Sequence, residues 1–172
     1  LAASSIEFVL GGARSGKTRH ALSLAESYDR APVYVATATP FDDEMRARIA
    51  AHIQERGPRW TTIEAPLDLG SAIAAAAAPD RTLLVDCLTL WLNNLIYAER
   101  DVERASDALC ATLAAANGPV ILVSNEIGLG LVPEHALARR FRDAQGRLNQ
   151  AVARIATRVT FVVAGLPLVL KG

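Results

Sequence analysis

Lys17 and Thr18 close the segment Gly11-Gly12-Ala13-Arg14-Ser15-Gly16-Lys17-Thr18, which fits the spacing G-x-x-x-x-G-K-[ST]. Glycines at the fixed positions let the backbone wrap close to an anion with its N–H groups pointing inward. The lysine then reaches the β- and γ-phosphates of a nucleoside triphosphate, and the threonine hydroxyl ligates the magnesium ion that bridges them. A short apolar run, Ile6-Glu7-Phe8-Val9-Leu10, precedes the segment, and a helix start follows it, which is the context the motif requires. The plainer alternative is a glycine turn carrying a surface lysine.

A second chemical residue follows from the first. Thr82-Leu83-Leu84-Val85-Asp86 is an apolar strand ending in a carboxylate, and Asp86 at that position would hold the magnesium directly or through water, beside Thr18. Thr89, just beyond, either contacts phosphate or caps the helix that begins there.

His52 has Arg48 four residues before it and Arg56 four after, one position round from the apolar ridge of Met45, Ile49 and Ile53. Flanking cations favour the neutral imidazole, the form able to attack phosphorus. A surface histidine on an amphipathic helix is the other reading, and periodicity alone favours it. His20 and His135 are weaker candidates. No cluster has the ligand spacing of a structural zinc site. Ser124, Asn125 and Glu126, followed by Gly128 and Gly130, leave an apolar strand where ligands gather in open α/β sheets, so Asn125 and Glu126 are candidates for substrate contact unless the stretch is a plain turn.

The elements that must position these residues alternate from end to end. Strands are expected at 7–10, 33–37, 61–64, 82–87, 120–124 and 160–164, with helices at 17–28, 42–56, 69–78, 88–98, 103–116 and 133–157. A last run at 168–171 follows Gly165-Leu166-Pro167, too short a connection for a parallel crossover, so it should pair antiparallel. The expected fold is α/β: a P-loop NTPase (RecA-like), mostly parallel sheet with helices on both faces and an antiparallel C-terminal strand. In the last helix Leu137, Phe141, Ala144, Leu148, Val152 and Ile155 make one buried stripe. Five arginines lie mostly off it, either as a solvated basic face or as an anion surface.

With 172 residues and no linker, one domain over 1–172 is expected. A net charge of zero removes the broad electrostatic case for nucleic acid. Two cysteines, Cys87 and Cys110, are not a disulfide framework, and no run is long enough for a membrane span, so a cytoplasmic protein is expected.

Five blocks, GGARSGKTRHA at 11–21, DDEMRARIAAH at 42–52, LLVDCLTLWLNN at 83–94, SNEIGLGLVPE at 124–134 and FRDAQGRLNQ at 141–150, together resemble one family over nearly the whole chain. It is the bifunctional adenosylcobinamide kinase and adenosylcobinamide-phosphate guanylyltransferase family of cobalamin biosynthesis. The resemblance implies a corrinoid substrate, with ATP or GTP phosphorylating adenosylcobinamide. GTP then passes GMP through a covalent guanylyl-histidine to give adenosylcobinamide-GDP and pyrophosphate, with magnesium as the metal.

The family's R-I-x-x-H block falls on Arg48, Ile49, Ala50, Ala51 and His52, which makes His52 the implied nucleophile. Nucleotide contacts are implied at Val35, Ala36 and Thr37, at Ile53, Gln54, Glu55 and Arg56, and at Glu64, and a homotrimer is implied for the assembly. At Asp86 some members carry glutamate. The shorter side chain here keeps metal binding and reduces reach toward a base or ribose. A small-molecule kinase without the transferase step, or a nucleotide-dependent switch or motor, is the competing reading. The motor predicts hydrolysis stimulated by a protein or DNA partner, with no dependence on corrinoid.

Overall fold

Runs of Val, Leu and Ile without a polar face become strands buried on both sides. The computed structural model of the chain describes residues 5–39, 43, 46, 50, 54 and 56–172. Its strands are β1 Ile6–Gly11, β2 Ala31–Ala36, β3 Thr61–Glu64, β4 Arg81–Asp86, β5 Val120–Asn125, β6 Arg158–Val163 and β7 Leu166–Lys171. The helices described in full are α1 Lys17–Ser27, α2 Leu69–Ala76, α3 Leu88–Tyr97, α4 Val102–Ala114 and α5 Ala136–Ile155. Of the helix expected at 42–56, only Asp43, Arg46, Ala50, Gln54 and Arg56 are described, and these five are helical.

The strands form one sheet in the order β3-β2-β4-β5-β1-β6-β7. Every neighbouring pair is parallel except β6 with β7. β1 therefore lies between β5 and β6, with Gly11 level with Asn125 on one side and Val162 on the other. The residues at the carboxyl ends of these strands are brought together although 151 positions separate the first from the last.

Alternation along each strand divides the core. Phe8, Val33, Val35, Leu83, Val85 and Leu122 face the larger cluster, under α2 to α5. Val9, Tyr34, Leu84, Ile121 and Val123 face the smaller one, under α1. Each fully buried aliphatic side chain here contributes about 1.5–3 kcal/mol relative to exposure. Helices thus cover both faces, as expected.

Three expectations change. The last helix begins at Ala136 rather than 133, because Arg139 Nη1 binds the carbonyls of Pro133 and Glu134 at 3.0 and 2.5 Å and keeps that stretch as a loop. Leu137, expected on the buried stripe, is consequently 53% exposed, while Ala144, Leu148 and Val152 are buried. β6 starts at Arg158 because that residue pairs with Glu7 of β1. The connection to β7 is also tighter than expected. Ala164 and Gly165, at φ 50 and φ 79, make a two-residue turn of the kind whose twist suits a hairpin. Pro167 then sits within β7, which an edge strand tolerates.

Candidate active site

The phosphate loop is built as its sequence requires. Gly16 is the N-cap of α1 at φ 93, a left-handed conformation that favours glycine, and no side chain caps the helix. Its first N–H groups stay available for an anion, reinforced by the helix dipole. Gly11 is needed for space: a Cβ there would collide with Ser15 Oγ and come within 2.6 Å of the Val162 carbonyl. Arg14 also takes a positive φ, 53. Arg14, Ser15, Gly16, Lys17, Thr18 and Arg19 line an open cleft of ≈ 550 Å³, completed by Ala164 and Gly165 of the β6–β7 turn. Gly165 N–H donates to the Ser15 carbonyl at 2.8 Å, so the hairpin turn is tied to the loop.

Lys17 Nζ donates to the Gly12 carbonyl at 3.0 Å, folding over its own loop. Burial holds its ammonium below the usual range, and the nearby Asp86 carboxylate offsets this in part. A polyphosphate would place negative charge beside this desolvated ammonium and favour its protonated form.

Asp86 ends β4 beside this lysine. Its Oδ2 accepts from the Tyr34 hydroxyl at 3.0 Å. Thr18, half-buried in the cleft, supplies a hydroxyl. These are hard oxygen donors. Among the described residues no group of three or more His, Cys, Asp or Glu could form a protein cage. The donor set fits magnesium, which is characteristically held by one or two protein oxygens with substrate phosphates and water completing the shell.

Around Asp86 the backbone is pinned. Thr37 Oγ1 accepts from Cys87 N–H at 2.8 Å and donates to the Cys87 carbonyl at 2.7 Å, across a cis Asp86–Cys87 peptide bond. Asn94 Nδ2 donates to the carbonyls of Thr37 and Pro66 at 2.8 and 3.0 Å. Burial first, then Asp86, pushes the Cys87 thiol up to about 11. Thr89 does not cap its helix, whose N-cap is Cys87. Its Oγ1 instead accepts from Asn125 N–H at 2.8 Å, joining α3 to the end of β5.

Asn125 is braced from the other side too, its carbonyl taking Asn149 Nδ2 at 3.1 Å. Behind it Gln145 Nε2 donates to Ser124 Oγ and Asn149 Oδ1, each at 2.9 Å, and Ser124 Oγ donates to Asn149 Oδ1 at 2.8 Å. Glu126 N–H reaches the Gly11 carbonyl at 3.1 Å, so the loop after β5 starts against the phosphate loop. Beyond it Leu129 and Leu131 are 83% and 96% exposed.

The expected residues divide accordingly. Gly11 to Thr18 and Asp86 gather at the carboxyl edge of the sheet, with Ala36 one strand over, level with Asp86. Val35 and Thr37 are fully buried, and the Thr37 N–H and carbonyl are engaged by the Asp86 carbonyl and Asn94 Nδ2. Glu64 is exposed at the end of β3, level with Ala36. Gln54 is exposed and Arg56 buried, its guanidinium over the Tyr34 ring. His52, Ile53 and Glu55 lie outside the described residues. The sequence reading missed Arg19, Ala164 and Gly165, and it missed Tyr34. Arg19 was within reach, being one residue past the motif. Nothing local in the sequence places a turn at 164–165 beside residue 15.

The geometry agrees with comparisons against known proteins. The family model for cobinamide kinase / cobinamide phosphate guanyltransferase matches residues 7–170. The bifunctional adenosylcobalamin biosynthesis protein CobP of Pseudomonas aeruginosa is 48% identical over 168 residues, 96% of this chain and 97% of that protein. The bifunctional adenosylcobalamin biosynthesis protein CobU of Salmonella typhimurium is 42% identical over 178 aligned residues, 95% of this chain and 98% of that protein. Among solved structures, the flagellar accessory protein FlaH of Methanocaldococcus jannaschii aligns with 97% of this chain and 78% of its own, at a TM-score of 0.53 and 13% identity. That likeness shows the fold alone, the P-loop NTPase (RecA-like) sheet expected from the sequence.

Proposed function

This chain belongs to the cobinamide kinase / cobinamide phosphate guanyltransferase family, and from that premise we propose which reactions it carries out and which residues serve them. It is a bifunctional enzyme of cobalamin biosynthesis, kinase and guanylyltransferase. In the first reaction ATP or GTP gives its γ-phosphoryl group to the hydroxyl of the aminopropanol arm of adenosylcobinamide. In the second, GTP gives GMP to His52 with loss of pyrophosphate. The corrinoid phosphate then takes the GMP, producing adenosylcobinamide-GDP.

The observation that carries this reading is the convergence of Lys17, the open N-terminus of α1 and Asp86 on one cleft edge. Loop N–H groups and the Lys17 ammonium grip the phosphates. Lys17 must exchange the Gly12 carbonyl for a phosphate oxygen as it does so. Thr18 and Asp86 would hold magnesium, which when bound offsets charge developing on the phosphate oxygens. His52 works as the neutral imidazole, and splitting the transfer through a phosphoramidate lets pyrophosphate leave before the corrinoid phosphate arrives. Val35, Ala36, Thr37, Ile53, Gln54, Glu55, Arg56 and Glu64 border the nucleotide in this reading.

The chain works as one cytoplasmic domain assembled as a homotrimer, without nucleic acid. Support for assembly comes from β7, where Leu166, Leu168 and Leu170 are 72%, 59% and 59% exposed in the single chain. No helix of the described residues is long and apolar enough to cross a membrane.

The deciding experiment incubates the protein with magnesium and GTP labelled at the α- or the γ-phosphate, then denatures it and measures intact mass for wild type and His52→Ala. Acid-labile α-label, one GMP heavier and absent from the variant, is expected. No covalent label where GTP demonstrably binds sinks the histidine mechanism and leaves a kinase or switch.

A further inference from the structure

Tyr34 belongs to no motif and lies within β2, yet it touches two of the residues read above as nucleotide contacts, Asp86 and Arg56. Its hydroxyl donates to Asp86 Oδ2 at 3.0 Å, passing its register partner Leu84 to reach two residues further along β4. The face of its ring carries Arg56, with Cζ 3.5 Å from the centroid. Trp60 meets the ring edge-on, centroids 6.3 Å apart and planes at 77°. Tyr34 and Arg56 are both buried, which makes the stack a desolvated cation–π contact of the stronger kind. Arg56 also reaches Thr62 Oγ1 at 3.4 Å, while its Nε has no partner.

We propose that Tyr34 is a positioning residue that couples two parts of the nucleotide site, holding Asp86 at the phosphate end through its hydroxyl and Arg56 through its ring. The inference rests on the reading of Asp86 and Arg56 given above. A ring wedged by Trp60 and the core cannot adjust to one contact without disturbing the other. Engagement of Arg56 by a nucleotide therefore steadies the Asp86 carboxylate, and an occupied phosphate end steadies Arg56 in return, since coupling is reciprocal. A tyrosine that merely fills space would support folding and leave the two residues independent.

The test follows binding of a fluorescent GTP analogue as magnesium is titrated. Asp86→Asn, Arg56→Ala and their double variant are compared in the Tyr34 protein and in Tyr34→Leu. With Tyr34 present, the double loss should depart from the product of the single losses by roughly fivefold or more. In Tyr34→Leu the losses should multiply. Tyr34→Phe keeps the stack and loses the hydroxyl. It should raise the magnesium needed for half-maximal binding about tenfold and leave magnesium-free affinity unchanged.

Losses that multiply in the Tyr34 protein, or an unchanged magnesium requirement in Tyr34→Phe, would overturn the proposal. If Tyr34→Leu does not fold, Tyr34→Phe decides alone. Neither corrinoid nor a labelled His52 is needed, so a missing guanylyl intermediate leaves this test intact. Absence of analogue binding by the wild type would instead strike the underlying reading.

Discussion

At the residue scale the site is an exercise in how burial sets charge. Lys17 is held below its usual range by desolvation, and a polyphosphate arriving beside it would push its pKa back up. Cys87 moves the other way, its thiol raised from 9.0 to about 11. A folded-state pKa above the unfolded one means that the stability contribution is complete below pH 9 and is lost as pH rises from 9 through 11. Wild type should therefore lose on the order of 2 kcal/mol across that window through this group. Urea unfolding of wild type and Cys87→Ala at pH 8 and pH 10.5 checks it, and a pH dependence no shallower in the variant would contradict the assignment. Tyr34 is shifted in the same direction, chiefly by burial and then by Asp86, and reinforces the trend at the upper end.

At the element scale the glycines of the phosphate loop are not equivalent. A Cβ on Gly11 meets Ser15 and the β6 backbone, whereas one on Gly12 has nothing within 4 Å. Gly11→Ala should cost about 1–3 kcal/mol of stability through overpacking, with Gly12→Ala within about 0.5 kcal/mol of wild type. Thermal melts of the two side by side decide the point. The same contrast marks what the sequence made legible. Strand, loop and helix around residues 11–18 could be read because the motif is local, and the alternation of apolar runs yielded the parallel sheet. The antiparallel ending followed from connection length alone. Tyr34 was out of reach because its role arises from a diagonal contact across neighbouring strands, between residues 52 apart in sequence. Leu137 was misassigned because a helical stripe carries no sign of where its first turn gives way to a loop. The start of β6 was likewise decided by pairing with β1, a partner that propensity does not see.

At the scale of the whole molecule, β7 contributes hydrogen bonds to β6 and almost nothing to the core, every one of its six residues being exposed. An edge strand this apolar is a surface that a soluble chain ordinarily covers. The proposed homotrimer predicts a mass three times 18.3 kDa by light scattering, and Leu168→Lys should lower that mass toward the monomer. A monodisperse monomer in the wild type would remove the assembly from the model of function. The tie between the hairpin turn and the phosphate loop has a consequence of another kind. Gly165 N–H is held by the Ser15 carbonyl, so the loop cannot open at Ser15 without freeing that hydrogen to exchange with solvent. The deuterium uptake of this single amide, 150 residues away in sequence, is a clock on the motion of the phosphate loop.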